Sequence, residues 1–504
     1  MGLAQAWSVS LYGVDGLVVE IEADVGVGQP RTHLLGLPDA ALHESKERVK
    51  AAVRNTREEW PKQRIVLGLS PAALPKGGSS YDLAIACATL SAAGSVPPDR
   101  LGSTVLLGEL ALDGRVRAVR GVLPALLAAR RAGLRTAVVP VDALPEAALV
   151  DGVEVHGAQT LGEVLTWLRG DVPALAPVPE LADPPPPQVP DLTDVVGQPE
   201  ARWALEVAAA GAHHLLLTGP PGTGKTMLAE RLAGLLPPLS RQDALAVTAV
   251  HSVAGVLSSN APLVSSPPFV TLHHTTSIAA LVGGGSGLAK PGAASRAHRG
   301  VLFLDEACEW GQKAIESLRT ALEDGEIRIA RRDGTARYPA RFQLVLATNP
   351  CPCAPPKEID CCCTPAVRRR YRSRLSGPLL DRVDLRVRMR PMTAMSNADA
   401  TPPEPTATVR ARVLAARTRA AARWSAHGHP WQTNADVPGP SLRREFALPR
   451  PVTALLDRAL ATGALTGRGA DRCLRVAWTL ADLSESARPT SDHVAAALSF
   501  RDRS

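Results

Sequence analysis

The octapeptide Gly219-Pro220-Pro221-Gly222-Thr223-Gly224-Lys225-Thr226 follows the apolar run Leu215 to Thr218 and precedes an amphipathic stretch, Met227 to Leu236. Strand, glycine-rich turn and helix in that order make a phosphate-binding loop, and a loop of this kind is built at the end of a parallel α/β sheet. The glycines let backbone N–H groups close around phosphates, Lys225 neutralises the outer ones, and Thr226 offers its hydroxyl to Mg²⁺. The expected ligands are therefore ATP and Mg²⁺.

About eighty residues on, Gly300-Val-Leu-Phe-Leu-Asp305-Glu306 reads as a buried strand ending in two carboxylates. Asp305 is suited to hold Mg²⁺ and Glu306 to orient an attacking water. A third apolar run, Phe342 to Thr348, ends in Asn349, an amide that can sense the γ-phosphate. In Leu379-Leu-Asp-Arg382-Val-Asp384, Arg382 is a candidate finger, placed against the ATP of a neighbouring subunit to stabilise transition-state charge. A finger of that kind makes the working unit an oligomer.

The segment from Asp171 to Asp191 holds eight prolines and lacks helix or strand period, which predicts an extended, semi-rigid linker. It divides the chain into an α/β domain over 1–170, a linker over 171–191, an ATPase core over 192–391 and a helical region over 392–504, entered through Pro402, Pro403 and Pro405. No run approaches 18 uninterrupted apolar residues and the first basic residue is Arg31, so neither a membrane span nor a secretory start is expected, and the chain reads as cytoplasmic.

Net charge is +7, and nine arginines against two aspartates fall between Ala366 and Arg390, a local excess equal to that of the whole chain. Aromatic residues make up 3%, which disfavours base-stacking platforms and points to backbone contacts if the partner is nucleic acid. Glu326 to Arg341 reads as two strands around Asp333-Gly334, a hairpin presenting Arg331, Arg332 and Arg337 to a DNA backbone.

Five of the eight cysteines fall between 351 and 363. Cys351, Cys353, Cys361 and Cys363 bracket a short loop and supply four thiolates, enough for a tetrahedral structural Zn²⁺, although C-x-C is a less common zinc spacing than C-x-x-C.

GPPGTGKT, GVLFLDE, ATNPCPC and SGPLLDRVD, together with HHTTSIAALVGGG (273–285) and YPARF (338–342), resemble the YifB/ComM family of magnesium-chelatase-like AAA+ ATPases over nearly the whole chain. The resemblance implies a multidomain α/β protein with an AAA+ P-loop core and a helical C-terminal lid. It also implies a homo-oligomeric, hexameric ring with ATP between subunits, and DNA translocation, helicase action or branch migration during natural transformation or recombination, on single-stranded or branched DNA and with no membrane partner. In the matching segments, Val196 would pack on the adenine, and Arg468, or else Arg475, would act from the second sensor helix. HHTTSIAALVGGG lies where related ATPases insert a pore loop.

Residues 1–170 resemble the proteolytic, S5-type domain of Lon proteases. Pro75-Lys-Gly-Gly-Ser-Ser80 parallels the run carrying the nucleophile, with Ser80 at its position. Leu123 stands where the catalytic lysine should be, and a leucine takes no proton, so the domain is expected to be non-catalytic. Two other functions compete with DNA translocation: remodelling of a protein partner docked on residues 1–170, and a nucleotide-regulated scaffold.

Overall fold

The computed structural model describes residues 2–35, 40–71, 78–171, 175–179, 189–258, 261–285, 289–331, 334–375, 377–391 and 403–501. Lys76, Arg332 and the middle of the Pro-rich linker lie outside these residues, as does the start of the join at 392–402.

The first 170 residues form a seven-stranded sheet in the order Thr32–Leu35, Arg64–Ser70, Asp15–Gly26, Gly2–Tyr12, Thr104–Leu106, Thr136–Pro140, Glu154–Ala158. The long hairpin Gly2–Tyr12/Asp15–Gly26 and its partner Arg64–Ser70 are antiparallel; the remaining pairings are parallel. Alternation in Arg64–Ser70 turns Ile65, Leu67 and Leu69 inward against the almost wholly buried helix Asp82–Ala92. The opposite face packs Val9, Val105 and Val139 against Leu123 and Leu126 of the helix Val122–Arg131.

The second sheet is wholly parallel, in the order Phe269–Leu272, Val301–Leu304, Gln343–Thr348, Leu215–Thr218, Leu385–Arg388. Val301–Leu304 and Gln343–Thr348 are buried throughout, which is why they read as continuous apolar runs instead of alternating ones. The chain's first strand of this sheet lies between its fourth and last, so connections leave it in opposite directions and open a crevice at its carboxyl end. The phosphate-binding loop, Asp305 and Asn349 all follow carboxyl ends of these central strands.

C-terminal helices Thr406–Ala426, Arg450–Ala461, Gly467–Leu483 and Ser491–Ser499 close the fold. Val409, Val413, Ala416, Ala420 and Trp424 recur every three to four residues along the inner stripe of the first. Trp424 is fully buried, with ring centroids 4.8 Å from Phe446 and 5.5 Å from Trp478. These helices share one continuous apolar core with the helix Pro199–Gly211 and one face of the parallel sheet, so the expected lid is packed onto that sheet.

The N-terminal domain docks on the helix Arg241–Ala254. Gly121 N–H donates to Ser252 Oγ at 3.0 Å, Arg241 donates to the Leu149 carbonyl at 3.1 Å, and Ala249 joins the apolar cluster of Val122 and Leu126. Gly13, at φ +68°, turns the first hairpin against the Arg337 backbone, where any Cβ would stand 2.2 Å from a carbonyl oxygen.

Candidate nucleotide site

The strand Leu215–Thr218 delivers the loop to the helix Lys225–Leu235. Gly219 N–H donates to the Thr348 carbonyl at 3.1 Å and ties the loop to the neighbouring strand. Gly222 and Gly224 take φ of +76° and +84°, and a Cβ added at either would meet no atom within 4 Å, so the loop surrounds an open cradle. Lys225 is buried and folded back, donating from Nζ to the carbonyls of Gly219 at 2.7 Å and Pro220 at 2.9 Å and to Asn349 Oδ1 at 3.2 Å. Burial lowers its pKa, against the opposing pull of Asp305 and Glu306. Thr223 Oγ1 donates to the Pro220 carbonyl and fixes the turn.

Thr226 Oγ1 donates to Asp305 Oδ2 at 2.9 Å, so the two expected Mg²⁺ ligands, one opening a helix and one following a strand, meet in space. Asp305 Oδ1 accepts from the Glu306 N–H at 2.8 Å, and Trp310 Nε1 donates to the Asp305 carbonyl at 3.0 Å. Glu306 takes φ +48°, which swings its side chain away from the strand direction.

Glu306 Oε2 lies 2.7 Å from His274 Nδ1 and 3.5 Å from His273 Nε2. Sequence reasoning assigned both histidines to an inserted loop and missed this contact. The contact follows from strand order, which carries no local mark in the sequence: Phe269–Leu272 pairs parallel with Val301–Leu304, and Leu272 lies opposite Leu304. The next residues on each strand are therefore neighbours.

Val196 is partly exposed, in a segment anchored on both sides. Asp194 pairs with Arg231 at 2.7 Å, and Gln198 Nε2 donates to the Arg390 carbonyl at 2.6 Å.

Arg382 makes its contacts with residues outside the phosphate-binding loop. It pairs with Glu323, bonds the Pro378 carbonyl, and has its pKa lowered first by burial and then by Arg319, Arg468 and Arg472. Arg468, exposed at the start of Gly467–Leu483, thus belongs to the same cationic cluster as Arg382. Arg475, the other sensor candidate, is buried and donates to the Val437 carbonyl at 2.7 Å. The neighbouring Arg472 pairs with Asp384 at 2.6 Å.

The four cysteine sulfurs converge. Cys351, Cys353 and Cys361 are separated by 3.4 to 3.5 Å, and Cys363 completes a group whose ligand atoms lie within 4.8 Å of one another. A hydrogen bond from Cys363 favours the Cys353 thiolate and lowers its pKa to about 6. Zn–S bonds of about 2.3 Å in a tetrahedron set sulfurs about 3.8 Å apart, so the donor set and spacing fit a zinc ion. Cys362 stands outside the group.

The expected hairpin forms from Glu326–Arg331 and Gly334–Pro339, with Arg337 exposed and Tyr338 buried. Its backbone supports Gly13 of the N-terminal domain, so part of the hairpin is an interdomain contact. Ser80 is half-buried, while its neighbour Ser79 is the hydroxyl that meets a carboxylate, Glu109. Leu123 is fully buried among apolar side chains, a leucine side chain takes no proton, and its N–H donates to Glu146 Oε1 at 2.6 Å.

The family described as magnesium chelatase, subunit ChlI, matches residues 191–397, its C-terminal part matches 403–501, and the part described as subunit ChlI of Mg-chelatase matches 21–143. A protein of Mycobacterium tuberculosis is 61% identical over 503 residues, 99% of both chains. YifB of Escherichia coli is 38% identical over 502 residues, covering 99% of this chain and 97% of its own. Competence protein ComM of Haemophilus influenzae is 38% identical over 507 residues, covering 99% and 98%. A shorter match, 32% identical over 181 residues, is to 22% of Lon protease 1 of Thermus thermophilus. Among the described residues, no helix is long and apolar enough to cross a membrane.

Proposed function

The chain belongs to the YifB/ComM family of magnesium-chelatase-like AAA+ proteins, and from that premise we propose that it is a ring-forming ATPase that spends hydrolysis on moving along DNA. The observation that carries the ATPase half is the meeting of Thr226 with Asp305 and of Lys225 with Asn349. Four residues that follow the carboxyl ends of three neighbouring strands are thereby brought into contact in pairs.

In this reading Lys225 leaves the loop carbonyls for the phosphates, Asn349 follows it, and Glu306 orients the attacking water once released from His274. Thr226 and Asp305 would hold Mg²⁺, which when bound offsets charge on the phosphate oxygens. Arg382 and Arg468 share a cluster with no bond to their own chain's loop among the described residues, which favours service to a neighbour's site and hence a homo-oligomer, hexameric by family resemblance. Cys351, Cys353, Cys361 and Cys363 would hold Zn²⁺, which when bound cross-links the loop after Asn349.

The DNA half rests on the relation to a competence protein and on the concentration of arginine. The N-terminal domain is read as a Lon-like, non-catalytic module, supported by the partial Lon match and by Leu123. ATPase and strand-displacement assays on single-stranded, duplex and branched DNA test the whole proposal. DNA should stimulate turnover, and the stimulation should fall steeply with salt because phosphate contacts release counterions. Turnover indifferent to every DNA offered refutes translocation.

A further inference from the structure

A cleft of about 840 Å³ opens beside Asn349, outside the phosphate-binding loop. One wall is the helix Pro365–Arg372, from which Arg368, Arg369 and Arg372 line it. The other is the edge strand Leu385–Arg388 and its continuation, contributing Arg386, Arg388 and Arg390. Leu385, Val387 and Met389 face the opposite side, into the core shared with the C-terminal helices. Pleat alternation therefore puts the three arginines in one row, at a repeat of about 6.6 Å. Cys351 and Cys361 of the sulfur cluster close one end, and Leu216, Leu375 and Leu380 contribute apolar lining.

Among the described residues that line it, six guanidinium groups share this cleft with one carboxylate, Glu200. Among the described residues, Arg368 Nε and Arg386 Nε are buried and have no hydrogen-bond partner, while Arg386 Nη2 donates to the Leu380 carbonyl at 3.1 Å. Converging like charges with unmet donors are costly unless an anion completes them. A single small anion leaves most of so large a cleft unfilled, whereas two arginine rows, one of them at a regular repeat, suit a chain of successive phosphates.

We propose that this cleft binds the phosphodiester backbone of a nucleic-acid single strand, so that the edge strand and the helix Pro365–Arg372, more than the hairpin, carry the grip on DNA. The proposal rests on the DNA reading above and supplies its site. Asn349 lines the cleft and accepts from Lys225, which gives an occupied cleft a direct contact with the nucleotide loop.

The test measures fluorescence anisotropy of a labelled oligothymidine of about 16 nucleotides across a salt series. It compares the full-length protein with R369A/R372A, two exposed positions, with R369K/R372K, and with Arg337→Ala, checking thermal midpoints for intact folding. R369A/R372A should bind at least tenfold more weakly. Its salt slope should shrink by about 1.4, two phosphate contacts at about 0.7 each. R369K/R372K should recover most of the affinity, and Arg337→Ala should lose less than R369A/R372A.

Unchanged affinity in R369A/R372A, with the parent protein binding well, overturns the cleft and leaves the DNA reading standing. No binding by the parent protein even at low salt overturns both. If inorganic tripolyphosphate, or an acidic polyglutamate peptide, displaces the strand as well as unlabelled oligonucleotide does at equal charge, the cleft is a site for that anion and the strand assignment fails.

Discussion

Lys225 Nζ stands 3.2 Å from Asn349 Oδ1, across 124 residues of chain. The ammonium group is held by two loop carbonyls and by the amide that follows the neighbouring strand, and in the proposed reading phosphate oxygens replace the two carbonyls while Asn349 follows the ammonium group. Lys225→Ala should therefore abolish measurable nucleotide binding, while Asn349→Ala should leave binding within a few-fold and cut turnover about 10²-fold, the scale of one lost polar contact to transition-state charge. Equilibrium binding of a fluorescent ATP analogue beside steady-state phosphate release separates the two. A full loss of binding in Asn349→Ala would make it a structural brace of the loop.

Glu306→Gln should bind ATP as the parent does and turn over at least 10²-fold more slowly, because the amide accepts no proton from water. Single-turnover phosphate release is the measurement. Equal rates would assign the water to another residue.

Arg382→Ala should retain nucleotide affinity and lose about 10³-fold in turnover, the scale of a lost arginine finger. Mixing it with Lys225→Ala should restore part of the activity, since one subunit then brings an intact loop and the other an intact arginine. Absence of recovery, with assembly verified by light scattering, would place Arg382 in its own chain's site or in packing alone.

The sulfur cluster should yield one zinc per chain by elemental analysis. Cys353→Ser should remove most of it, and a strong chelator should lower the melting temperature of the parent protein but not of Cys353→Ser. Metal content equal in both forms would contradict the assignment.

His213, His214 and His298 are buried, and burial, with lesser Coulomb contributions, depresses each pKa from 6.5 to about 4. Between those values the unfolded chain binds protons that the folded chain does not, so stability falls as the pH drops from 6.5 toward 4, by up to about 3 kcal/mol per histidine. Asp384 behaves differently. Burial alone would raise its pKa, but Arg472, His213 and His214 outweigh burial and hold it below the usual carboxylate range, so its contribution is lost only at lower pH. Urea unfolding at about pH 7, 6 and 5 reads the slope, and a flat profile would show that these rings are solvated.

Residue order announced the phosphate-binding loop, the carboxylate strand and the four-cysteine group, because each is a local arrangement whose chemistry is set by residue types a few positions apart. The apolar run before Asp305 likewise stands as the buried strand Val301–Leu304. What the tertiary structure alone decided are relations between distant segments. Sheet order puts His274 against Glu306, a shared core merges the C-terminal helices with the parallel sheet, and the helix Arg241–Ala254 receives the N-terminal domain. Edge-strand alternation and helix packing turn a run of arginines into two walls of one cleft. Pairing between strands and burial between layers depend on which surfaces meet, and residues far apart along the chain carry no local mark of that meeting.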